Sequence, residues 1–202
     1  MLYNKNNTLN STLTGILIQN IITKNQLYIN ILANFIKTNW NFNMSPKPKL
    51  FITCGRPFSG KSTVSKKLSE AIPAARFSYD EIWFERQNSL QSDQATKVDH
   101  DSIMNWIIQQ TLKILELGQS VIIDNLFDTL DSRESIRKLF GDKGFEVITV
   151  YCRISDEVQR ERIKRNQIQP TRHQVDPEQI NIYNAKFEIP DGENELVVFD
   201  VG

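Results

Sequence analysis

The residues best suited to chemistry form one run, Gly55-Arg56-Pro57-Phe58-Ser59-Gly60-Lys61-Ser62, a full match to G-x-x-x-x-G-K-[ST]. Glycines let a backbone wrap a phosphate closely with its N–H groups turned inward. The lysine neutralises phosphate charge, and the serine hydroxyl can ligate Mg²⁺. The motif requires a strand before it and a helix after it. Leu50-Phe51-Ile52-Thr53-Cys54 is a short apolar, β-branched run, and Gly60 to Ala71 sets Val64 and Leu68 four apart, on one face of a helix. Both conditions are met, so Gly55 to Ser62 is a candidate nucleotide-phosphate site.

Two carboxylates stand where such a site needs them. Asp124 closes the buried run Ser120-Val121-Ile122-Ile123, the form of an acid that orients Mg²⁺ directly or through water. An aspartate at a strand end is also a common turn former. Asn125 follows it, whereas hydrolytic motors and transporters place a glutamate there, and this favours phosphoryl transfer over hydrolysis. Asp80 ends Phe77-Ser78-Tyr79-Asp80, at the carboxyl end of a second strand and on the rim where open α/β folds bind ligands. It could take the proton of an attacking hydroxyl, or it could only cap the next helix. A basic stretch adds Arg160, Arg162, Lys164 and Arg165, with Arg162 and Arg165 three apart on one face. It is either a solvated surface paired with Asp156, Glu157 and Glu161 or the hinge of a lid through Gln167 to Val175 whose arginines steady phosphoryl oxygens. His100 and His173 carry no more than a surface role.

The elements that position these groups alternate strand and helix. Expected after the first unit are a strand over Ala75–Ser78, a loop over Gln87–Lys97 and a helix capped by Asp99. That helix runs to Leu117, with Ile103, Ile107, Ile114 and Leu117 as its apolar stripe and Gly118 as its stop. The strand 120–124 follows, then a helix over Asp131–Phe140, the strand 146–152 and a helix from Asp156 to about Asn166. Asp176-Pro177-Glu178 starts a further helix, and 195–200 is the last strand. Apolar strands separated by helices predict a parallel sheet covered on both faces.

Composition bounds the function. The 24 Lys+Arg balance 24 Asp+Glu in 202 residues, which argues against a strongly basic nucleic-acid binder or an acidic disordered chain. Cys54 and Cys152 sit in apolar runs without metal spacing and are expected as buried thiols. Residues 1–43 differ from the rest, with eleven Asn, three Lys and no Asp, Glu, Arg or Pro. Met44-Ser45-Pro46 opens the new character, so the expected domain is 44–202, and 1–43 is expected to be a poorly ordered extension or a mis-assigned start. Its apolar stretch from Leu13 to Ile36 is too often interrupted for a membrane span or a secretory signal, and cytoplasmic residence is the default.

GRPFSGKST, FSYDEIW, LGQSVIIDN, YCRISDEVQRERIKRN and FEIPDGENELVVFD, in that order, resemble the small P-loop kinases labelled AAA-domain or predicted kinases. That group is similar to polynucleotide 5′-kinase, chloramphenicol phosphotransferase, zeta toxin and gluconate kinase. The resemblance implies an α/β P-loop NTPase fold of three layers, with a five-stranded parallel sheet, its phosphate strand central, and a short helical lid at about 166–175. It makes Gly55 to Thr63 the ATP loop, with Lys61 catalytic and Ser62 and Asp124 as metal ligands. Asp80 becomes the base for the acceptor, Arg162 and Arg165 the lid arginines, and Phe187-Glu188-Ile189-Pro190 a structural segment. ATP and Mg²⁺ are the implied cofactors. The implied reaction moves the γ-phosphate to a hydroxyl of a small molecule or of a nucleic-acid end, although no strong basic patch supports the latter. The alternative is an ATP-binding switch that controls a partner, and the sequence names neither acceptor nor oligomeric state.

Overall fold

Strand β1 (Lys49–Cys54) is buried from Leu50 to Cys54, so residues on both its faces can be apolar, and its position follows from that. Only the middle of a covered sheet accepts such a run. The sheet has five parallel strands in the order β2-β3-β1-β4-β5, with β2 at Ala74–Ser78, β3 at Ser120–Asp124, β4 at Glu146–Arg153 and β5 at Leu196–Asp200. The phosphate strand is central, between β3 and β4, as expected. The computed structural model describes residues 47–89, 99–169, 176–191, 193 and 196–200. The extension 1–43, the stretch 90–97 and the lid residues 170–175 lie outside them.

The helices are α1 (Lys61–Ala71), α2 (Tyr79–Ser89), α3 (His100–Glu116), α4 (Leu130–Gly141), α5 (Asp156–Ile168) and α6 (Pro177–Lys186). One face of the sheet, with Leu50, Ile52, Val121, Ile123 and Val147, packs on Ile103, Ile107 and Leu115 of α3 and on Ile136 and Phe140 of α4. Each such side chain, when fully buried, contributes about 1.5–3 kcal/mol. The opposite face carries Thr53, Arg76 and Asp124 toward α1, where Val64, Ser65 and Leu68 are buried. That face is apolar too, with Phe51, Ile122, Ile148 and Val150 buried on it, and alternation along the strands brings Thr53, Arg76 and Asp124 to its carboxyl end beneath α1.

Local signals set the helix ends. Asp99 accepts from the Asp101 and Ser102 amides, and Thr129 and Ser132 form a capping box. Asp176 caps a helix that opens on Pro177, and Gly118 takes φ 83° where α3 must stop. Three expectations need correction. The buried stripe of α3 is Ile103, Ile107, Thr111 and Leu115, while Leu117 lies past the helix end and is 85% exposed. Leu117 falls on that face only if the helix continues, and the helix ends at Glu116; Ile114 still packs partly against the core. Gln87–Ser89 is helix, because α2 runs on through polar residues. Helix α5 runs to Ile168, past the expected lid boundary at Asn166, since nothing in Asn166-Gln167-Ile168 breaks a helix.

Candidate nucleotide and acceptor site

The loop between β1 and α1 is shaped by two glycines. Gly55 has φ 150°, and a Cβ there would lie 2.6 Å from the Cys152 carbonyl oxygen of β4, so no other residue fits. Gly60 takes φ 89° as the N-cap of α1. It offers no side chain to cap the helix, and no acidic residue occupies the first turn. The first amides of α1 and the positive end of its dipole thus face the loop with no cap or acid from the helix itself. The Ser59 hydroxyl is buried in the same loop with no hydrogen-bond partner among the described residues. An orphaned donor of this kind costs about 1–3 kcal/mol, which a phosphate oxygen would recover. These features fit a bound triphosphate.

A cleft of ≈ 180 Å³ opens above the loop. Pro57, Phe58, Gly60, Lys61 and Ser62 line one side, and Asp80, Asp124, Asn125, Leu126 and Tyr183 complete it. Lys61, Ser62, Asp80 and Asp124, four residues marked in the sequence for separate roles, meet there. The Lys61 ammonium donates to the Gly55 and Arg56 carbonyl oxygens at 2.9 and 3.0 Å. Asp80 lies in the first turn of α2 and is exposed to the cleft. Arg56 does not line the cleft, because its guanidinium is spent on Asp156 at 2.5 Å and on the Ile154 carbonyl at 2.7 Å.

Asp124 is 4% exposed and densely held. Its Oδ1 accepts from Thr53 at 3.2 Å, and its Oδ2 accepts from Ser65 at 2.9 Å and from Arg76 at 2.6 Å. A carboxylate has about four lone-pair sites, so room remains on Oδ1 for a magnesium ion or for one of its waters. Among the described residues no cluster of three or more His, Cys, Asp or Glu could hold a metal. The donor set of Ser62 and Asp124 therefore fits an ion that brings phosphate and water as its other ligands, which is the habit of Mg²⁺.

Helix α5 meets the loop from below. Gln159 donates to the Pro57 carbonyl at 2.8 Å, and Arg162 donates to the Phe58 carbonyl at 3.1 Å. Burial and the like charge of Arg165 lower the Arg162 pKa from its ordinary value. Phe58 sits at φ 64°, a left-handed backbone that costs a non-glycine about 1–2 kcal/mol, and these two bonds help hold it. Arg165 is exposed one turn further on, and neither arginine lines the cleft. Arg76, Gln159 and Tyr183 were missed in the sequence. A lone arginine inside a strand, in phase with Ser78, was the available signal for Arg76.

Other sequence expectations concern the surroundings. Both thiols are buried and outside any disulfide, as expected, and burial raises the Cys54 and Cys152 pKa values to about 11 and about 12, the setting of structural thiols. The segment Phe187–Pro190 is built into the frame. Phe187 stacks on Tyr151, the Glu188 carboxylate accepts from the first amide of α4, and the Glu188 amide donates to the Asp128 carbonyl at 2.8 Å.

Residues 50–190 match the family described as AAA domain, and the chain belongs to it. Solved structures agree on the fold. A candidate kinase from Chloroflexus aurantiacus is 25% identical with a TM-score of 0.61, over 76% of this chain and 88% of that one. Kti12 from Chaetomium thermophilum, in complex with ADP-AlF3, is 15% identical with a TM-score of 0.60, over 75% and 89%. A gluconokinase from Sinorhizobium meliloti is 20% identical with a TM-score of 0.53, over 77% and 83%. No curated protein matches significantly. The chain is a P-loop nucleotide-binding protein with the fold of the small kinases.

Proposed function

We propose that the protein is an ATP-dependent phosphotransferase that moves the γ-phosphate of Mg·ATP to an alcohol acceptor, either a small molecule or a nucleic-acid end. The observation that carries this reading is the single cleft that joins the phosphate loop, through Lys61 and Ser62, to a carboxylate outside the loop, Asp80. Asp80 takes the proton as the acceptor oxygen attacks the γ-phosphorus. The bond from that phosphorus to the bridging oxygen breaks, and ADP leaves. Lys61 steadies the charge that develops on the phosphoryl oxygens, and Arg162, outside the cleft, supports the loop through the Phe58 carbonyl. Ser62 and Asp124 hold magnesium, whose chemistry when bound is to neutralise phosphate charge.

Asn125 beside Asp124 supports transfer over hydrolysis, since its amide offers no base for water. Its Nδ2 donates to the Met104 sulfur at 3.3 Å, and its Oδ1 accepts from the Leu126 amide at 2.8 Å. Likeness to a gluconokinase supports a polyhydroxylated small molecule as the first acceptor to try.

The test is transfer from γ-labelled ATP to a panel of gluconate, related sugar acids, nucleosides and a 5′-hydroxyl oligonucleotide, run beside ATP turnover without acceptor. Transfer that far exceeds acceptor-free turnover supports the proposal. Steady turnover with no labelled product would move the assignment to a nucleotide-dependent switch. Lys61→Ala is expected to lower transfer about 10²-fold or more, and unchanged transfer would remove the phosphate loop from the mechanism.

A further inference from the structure

Arg76 lies outside the cleft lining, yet each of its guanidinium nitrogens is committed to a different element. Nε donates to Ser65 Oγ of α1 at 2.8 Å, Nη2 to Asp124 Oδ2 of β3 at 2.6 Å, and Nη1 to Glu81 Oε2 of α2 at 2.7 Å. The Arg76 side chain is 11% exposed. Burial works against its charge, but the hydrogen bonds to Glu81 and Asp124 outweigh this and raise its pKa. Lys66 of α1 reaches the other oxygen of Glu81 at 3.0 Å. Glu81 immediately follows Asp80.

Helix α2 is the element with most to gain from these tethers. None of its residues is buried, and its apolar contacts are the partly buried Tyr79, Ile82 and Trp83 against the core. A helix without a deeply buried side chain has a weakly determined tilt, so polar contacts at its first turn decide where that turn sits. A planar guanidinium offers its donors at fixed angles, so Asp124 and Glu81 cannot move independently while both hold it.

We propose that Arg76 is a positioning residue that couples the phosphate side of the cleft, through Asp124 and Ser65, to the placement of the α2 turn that carries Asp80. The proposal rests on the phosphotransfer reading only for its consequence, that nucleotide binding aligns the acceptor base. The coupling is measurable without an acceptor.

The probe is magnesium with a non-hydrolysable ATP analogue, and the readouts are its affinity and amide hydrogen exchange across residues 79–89. In the wild type the probe is expected to slow exchange in this helix at least about fivefold, the lower end of usual coupling factors. Arg76→Lys keeps the charge and loses the fork. Glu81→Gln, at a side chain 48% exposed, keeps the Asp124 pair and the fold. Both are expected to cut the protection below about twofold while analogue affinity stays within about threefold.

A merely structural residue would lower the melting temperature and leave the nucleotide-dependent protection in place. Full protection in either variant, no protection in the wild type, or collapse of analogue affinity in Glu81→Gln would each overturn the proposal. Failure to find any acceptor, with the coupling intact, would overturn only the phosphotransfer reading.

Discussion

Asp80 and Asp124 share a cleft but are held differently, and their amide variants should separate accordingly. Asp80 sits exposed at the start of α2, with the surrounding backbone already in register, so Asp80→Asn should leave the fold and nucleotide affinity close to wild type. Its expected effect is loss of transfer, measured against analogue binding on the same preparation. A variant that transferred at the wild-type rate would take the base role from Asp80. Asp124→Asn is expected to weaken magnesium-dependent nucleotide binding. It also leaves Arg76, whose side chain is 11% exposed, facing a neutral amide, so it should lower the melting temperature as well, which Asp80→Asn should not. Equal melting temperatures for the two variants would show that the Asp124–Arg76 pair contributes nothing net.

Two elements outside the cleft make predictions of their own. Helix α5 offers Arg162 to the loop carbonyl of Phe58, and a lysine there keeps charge but reaches with a single point donor. Arg162→Lys is therefore expected to lower turnover more than it weakens ground-state nucleotide binding, compared through kcat and the analogue Kd. An equal loss in both would assign Arg162 to loop shape alone.

Helix α4 presents the fully buried Arg133 to the Glu193 carboxylate at 2.7 Å, and Arg137 pairs with the same carboxylate. Arg133 also donates to the Phe127 and Glu188 carbonyls, so one side chain ties α4 to both flanking segments. Burial alone would raise the Glu193 pKa, but hydrogen bonds from Arg133 and Arg137 overcome it and lower the value. A depressed carboxylate contributes its stability fully above its unfolded pKa of about 4.3, and the contribution is lost as pH falls through the lower folded value. Glu193→Gln leaves the fully buried Arg133 without its carboxylate, while Arg137 keeps Glu134, and should cost about 3–5 kcal/mol at neutral pH. The gap in melting temperature from wild type should then close as the pH drops below about 4. A gap that stayed constant down to pH 3 would contradict this ion-pair account.

Over the whole chain, the AAA domain match spans residues 50–190. We propose that residues 1–43 are dispensable for folding and nucleotide binding. They hold three Lys and no acidic residue, so they cannot form internal salt bridges, and the five strands already pair without them. A chain started at Met44 is expected to keep its melting temperature and analogue affinity. A loss of several degrees would show that the extension packs on the domain. No helix among the described residues is long and apolar enough to cross a membrane.

The amino-acid sequence alone determined the parts of this protein whose physics is local. A glycine-spaced phosphate loop between a strand and a helix, the Asp99 and Asp176 caps, a glycine stop after α3 and apolar strand runs all act within a few residues, so they are legible in order. The central place of β1 was implied by the resemblance of the ordered motifs, and the strand order bears it out. What only the tertiary structure decided is which distant side chains meet. Arg76, Ser65, Glu81 and Asp124 come from four elements and have no common spacing, and Gln159 reaches a loop 102 residues earlier. Their partners are set by strand order and by how α1 and α5 lie across the sheet. Pairing of this kind depends on angles between packed elements, and no periodicity along a single chain encodes those angles.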